Sequence, residues 1–208
     1  MVRALAKISR VNPPAELTKL FGDPPLVGTE TREDYDNLFN AIADSLKPVD
    51  AIAWLFVRDI TDLSWEIKRE RNLKRLVLNS AYEGKVRALL TPPRPFNDGL
   101  LGLTLEVGVD PEAERIAKEA KRWMSDPKAR RRIDKELADK GYDSSSILTG
   151  ALSNAADQID AIDGRIASYE LRRMAALRAI EHYSETLARR LKAASSEIIE
   201  GEFSEAAE

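Results

Sequence analysis

Four carboxylates, Asp59, Asp62, Glu66 and Glu70, fall at helical spacing in the stretch "FVRDITDLSWEIKRER". On a helix turning about 100° per residue, Asp59, Asp62 and Glu66 share an arc of about 60°, with Glu70 one turn further along. Leu55, Phe56 and Leu63 belong to the same side, so the acids interrupt a stripe that would otherwise be apolar. Carboxylates in this pattern support two chemistries. With oxygen donors from a second helix they can hold a hard cation. Alternatively they pair with a cation across a packed interface, because an unpaired buried charge costs several kcal/mol. A third possibility is that the acids simply face solvent. The ion pair is the expectation adopted here, because Arg173 breaks an apolar register in the last helix, with Arg165 and Arg172 close in sequence. Asp59, Asp62, Glu66, Glu70 and Arg173 are therefore expected to form a buried ion-pair seam, the planar guanidinium satisfying two carboxylate oxygens. If the two long helices match end to end, Arg173 lies near Glu70.

A second group suggests phosphate chemistry. Residues 115–140 contain ten Lys or Arg against five acids. Lys121, Arg122, Lys128, Arg130, Arg131, Arg132 and Lys135 are the candidate nucleic-acid contacts. "LADKGYDSSSI" spaces Leu137, Gly141 and Ile147 somewhat like a helix-turn-helix. However, the helix that would enter a groove, from Ser144 to Asp163, has no Lys or Arg and carries Asp157, Asp160 and Asp163. The formal charge of −3 and the pI near 5.5 also argue against a dedicated DNA binder. A solvated basic face is the expectation, with nucleic-acid contact as the alternative.

Other chemistries find little support. The chain has no cysteine and one histidine, His182, which excludes disulfides, thiolate sites and histidine-rich zinc sites within one chain. A ferritin-like di-metal centre needs a Glu-x-x-His motif on each of two helices. No P-loop, G-x-G-x-x-G or G-x-S-x-G elbow occurs. No catalytic residue, metal or cofactor is expected, and a carboxylate-dependent metalloenzyme is a remote alternative.

The positioning elements follow from periodicity and punctuation. Prolines in "NPP" and "GDPPLVG" predict an irregular arm over residues 1–28. A first helix begins near Thr29 or Thr31, with the stripe Tyr35, Leu38, Phe39, Ile42 and Leu46, and stops at Pro48. A second runs from Asp50 toward Leu90, with Trp54 and Trp65 on a face away from the acids. "LLGLTLEVGV" reads as loop or a lone extended segment. Two short helices split at Asp126–Pro127, and a last helix runs from about Ser144 to Ile199. In it Leu152, Ile159, Ile166, Arg173, Ile180 and Leu187 recur every seven residues, the spacing of a coiled-coil seam. Residues 200–208 read as a disordered acidic tail.

"PPLVGTETREDYD", "KPVDAIAWLFVRDITDLSWEIKRERNLK" and "IASYELRRMAALRAIEHYSETLARRLKAASSEIIEGEF" resemble segments of a helical protein family of unassigned function in alphaproteobacteria. The resemblance covers the second and last helices but not the middle. It implies a bacterial origin and supplies no activity or catalytic residues.

The expected fold is all-α: an elongated, coiled-coil-like helical bundle pairing the 50–90 and 144–199 helices, with shorter helices at one end and one domain over 29–199. There is no apolar run near 18 residues and no secretory signal, so no membrane association and a cytoplasmic location are expected. The expected function is non-catalytic: a helical interaction or scaffold protein acting as a homo-oligomer or on a protein partner. A nucleic-acid-associated accessory protein is the alternative.

Overall fold

The structure, a computed structural model, describes residues 13–92 and 110–205, with side chains up to Ala193. Among the described residues it is all-α, with six helices and no strand: α1 (Ala15–Phe21), α2 (Arg32–Leu46), α3 (Ala51–Leu90), α4 (Pro111–Ser125), α5 (Pro127–Asp139) and α6 (Ser144–Glu205). The segment "LLGLTLEVGV" lies outside the described residues.

Local chemistry sets most boundaries. Thr31 caps α2 by accepting from the Asp34 amide at 3.2 Å, and acids occupy the first turn, where the helix dipole favours them. Lys47 then takes a left-handed conformation (φ 45°) before Pro48. Asp50 caps α3 through the Ala53 amide at 2.9 Å. Asp126 ends α4 and caps α5, with Pro127 in the first turn of α5, where its missing donor costs nothing. At the end of α5 the Gly141 amide bonds the Ala138 carbonyl and the Tyr142 amide bonds that of Leu137, a Schellman closure. Gly141 supplies the positive φ (85°) this closure needs. Asp143 opens α6 by accepting from Ser146.

Two stretches outside the expected 29–199 domain have helical backbone. Residues 15–21 of the arm are helical, because Pro14 stands just before the first turn and "AELTKLF" contains no further breaker. The backbone from 200 to 205 continues α6, since nothing between Ile199 and Glu205 except Gly201 disfavours a helix. Residues 206–208 lie outside the described residues.

The chain divides into two compact units, one comprising the residues up to Glu70 together with Arg165 onward, the other Arg71–Gly164. The core of the first unit is aromatic: Tyr35 meets Trp65 edge-on at 5.5 Å and Phe39 stacks on Trp54 at 6.0 Å. Tyr35, Phe39 and Ala43 form the buried stripe of α2, and Leu17 and Phe21 of α1 pack against this core. The α3 and α6 segments of this unit run antiparallel. Asp50 and Phe56 both meet Tyr183, whereas Glu70 meets Arg165. The second unit is built around Val86, Ala120, Trp123, Ile133, Leu137 and Ile147, with Tyr82 stacked on Trp123 at 6.3 Å.

The buried stripe of α6 includes Ala151, Ala155, Ile162 and Ile180, whereas Leu152 is exposed. A strict seven-residue spacing drifts by about 20° per heptad on a 3.6-residue helix, so positions seven apart do not keep to one face over several heptads.

Candidate functional site

The four acids of α3 do not meet one cation. Their arc straddles the boundary between the α3 face that packs on α2 and the face that packs on α6, and Asp62, Glu66 and Glu70 each take a different partner.

Asp62 is on the α2 side. It accepts from the Tyr35 hydroxyl and, at 2.9 Å, from Arg58 Nε one turn earlier on the same helix. Burial and the Asp62 carboxylate push the Tyr35 phenol far above its ordinary range. The Arg58 guanidinium lies against the Phe21 and Tyr35 rings and donates to the Asp23 carbonyl at 3.1 Å.

Glu66 pairs with Arg69 at 2.6 Å. Arg69 is the hub of the N-terminal segment, donating twice to Glu30 at 2.8 Å and once to the Pro25 carbonyl. Glu30 also accepts from Trp65 Nε1 at 2.9 Å and the Val27 amide at 3.1 Å. The Arg69 bonds above all hold the Glu30 carboxyl at about 2, well below its ordinary 4.5.

Glu70 is on the α6 side, and Arg165 grips it with both ends of its fork, at 2.7 and 2.9 Å. Glu70 is buried (8% exposed) while the Arg165 side chain is 44% exposed. Tyr183 closes the other end of this helix pair by donating to the N-cap Asp50 at 2.7 Å.

Arg173, expected beside Glu70, makes no hydrogen bond or ion pair with any of the four acids. Its position follows from register. It lies eight residues beyond Arg165 on an antiparallel helix, level with Asp62, and Asp62 is turned toward α2 by Tyr35 and Arg58. Among the described residues, Asp59 accepts no hydrogen bond. Although the residue is exposed, the crowding of its carboxyl group and the nearby Asp62 raise its pKa, and Arg172 opposes the rise. Sequence reasoning missed Glu30, Arg58 and Arg69. The i, i+4 spacing of Arg58 and Asp62 was the available signal for one of these pairs.

The basic residues are sorted by α4 and α5. Arg130 lies against Trp123, its guanidinium 4.8 Å from the ring centre and its Nε bonded to the Trp123 carbonyl at 3.1 Å. Glu119 holds Arg122 at 3.5 Å and also Arg132. Lys121, Lys128, Arg131 and Lys135 are exposed and have no carboxylate within ion-pair distance among the described residues.

In chemical terms Asp62, Glu66 and Glu70 are structural acceptors, held by Tyr35 and Arg58, by Arg69 and by Arg165. Among the described residues no three His, Cys, Asp or Glu side chains gather in a way that could hold a metal ion, and no helix is long and apolar enough to cross a membrane. A groove of about 730 Å³ lined by Phe21, Tyr35, Phe39, Asn37, Asn40 and Arg58 adjoins α1 and α2. The Arg58 head at its edge is already committed to Asp62 and Asp23. No family model, curated protein or solved structure matches the chain.

Proposed function

We propose that the protein is a non-catalytic helical interaction module that self-associates through an apolar face of α6. The observation carrying this reading is the exposure of Leu171 (72%) and Met174 (46%) on the side of α6 turned away from its buried stripe. Three residues apart, the two side chains share a helix face, and Ala167, also exposed, precedes Leu171 by one turn. A helix that buries one stripe and leaves apolar side chains uncovered on another packs between two neighbours or presents a face to a partner. The cytoplasm is the expected setting, with a second copy as the partner.

The test is mass in solution across a concentration series, for the natural chain and for Leu171→Ser/Met174→Ser. Self-association that weakens in the double variant, with the melting temperature preserved, supports the reading. An unchanged association would place the contact elsewhere.

A second reading, a nucleic-acid-associated accessory protein, is favoured by the sorting of charge on α5.

A further inference from the structure

The sequence mixes acids and bases across 115–140, but the fold separates them. Four of the five carboxylates are occupied by neighbours: Asp126 caps α5 through the Lys128 amide at 2.8 Å, Asp134 accepts from Trp123 Nε1 at 2.6 Å, and Glu136 holds Lys140 at 2.9 Å. Glu119 is shared by Arg122 and Arg132. Buried Ala129, Ile133 and Leu137 fix which way α5 faces. The opposite side therefore presents Lys128, Arg131 and Lys135 within an arc of about 60°. Of these three, only Arg131 is engaged by its side chain, through Nε and the Pro127 carbonyl at 3.3 Å. Asp139, in the last turn, is the one carboxylate near that arc.

The three cations span about 10 Å along the helix axis, a distance over which one strand of a duplex carries about three phosphates. We propose that this face of α5 docks against the phosphodiester backbone of a nucleic-acid duplex without reading its sequence. The proposal rests on the second reading above and names its surface and ligand. Backbone contacts position a protein but carry no base information. The start of α6, which follows the Gly141 turn as a reading helix would, offers Ser144, Ser145 and Ser146 and no base. A lipid surface is the poorer match, because α5 exposes no large apolar side chain that could enter it.

The experiment is fluorescence anisotropy of a labelled, arbitrary-sequence 20-bp duplex with the full chain between 50 and 200 mM salt (roughly the range over which counterion release is read). The logarithm of the association constant should fall with the logarithm of salt with a slope of about −3 or steeper. Lys128→Gln/Arg131→Gln/Lys135→Gln, all at exposed positions, should weaken binding by about tenfold or more and reduce the slope by about 2 to 3. Lys118→Gln, at a residue already paired with Glu114, should leave affinity within about twofold. If the natural chain does not bind the duplex, the nucleic-acid reading itself fails. If it binds but the triple variant keeps the same slope, that reading survives and the α5 assignment is overturned. Equally tight binding to phosphatidylserine vesicles at the same salt would overturn nucleic acid as the ligand.

Discussion

Glu70 is the carboxylate whose loss of partner matters most, because it is buried while Arg165 reaches it from a half-exposed position. Arg165→Leu should lower the melting temperature by stranding that carboxylate, and adding Glu70→Leu should recover much of the loss. Arg173→Leu should be neutral or stabilising, since it replaces a cation that meets none of the acids with an apolar side chain between packed helices. Thermal melts of the three variants would contradict this assignment if Arg173→Leu proved the most damaging. Glu30 makes a separate, pH-dependent prediction. Its folded pKa of about 2 lies below the ordinary 4.5, so its stabilisation is fully present above the ordinary value. It is lost as pH falls toward and through the folded one. Glu30→Gln should cost about 1 kcal/mol at neutral pH after allowance for solvent screening. It should also flatten the stability profile between those two pKa values, as read from urea midpoints at successive pH.

The helices themselves were largely legible in the sequence, because their ends carry chemistry that acts locally: Thr31, Asp50, Asp126 with Pro127, and Gly141. What could not be read was register between helices. Matching α3 and α6 by their midpoints puts Arg173 beside Glu70, but α6 runs well past Tyr183, the residue opposite the start of α3, so the true partner lies eight residues earlier. The partners of Glu30 were equally hidden, since Arg69 is 39 residues away and meets it only through tertiary packing. Two glycines test the element-level account with the same substitution. Gly141→Ala should cost about 1 kcal/mol, because its φ of 85° is strained for alanine even though nothing lies within 4 Å of the added carbon. Gly164→Ala, also in open space but inside α6, should stabilise by about 0.5–1 kcal/mol. Denaturant midpoints moving the same way for both would contradict this account.

At the scale of the whole molecule, the faces of α6 differ in what covers them. The stripe through Ile162 and Ile180 is used within the chain, whereas Leu171 and Met174 are left uncovered. A symmetric self-contact through such a face would use the same patch on both copies. It requires no new fold, only desolvation of side chains already held on a helix. The most direct measurement is sedimentation equilibrium over a wide concentration range, for the natural chain and for Leu171→Ser/Met174→Ser. Self-association predicts a mass above 23.2 kDa, the mass of one chain, that rises with concentration and falls back to one chain in the double variant. A mass of one chain for the natural protein at every micromolar concentration would contradict it.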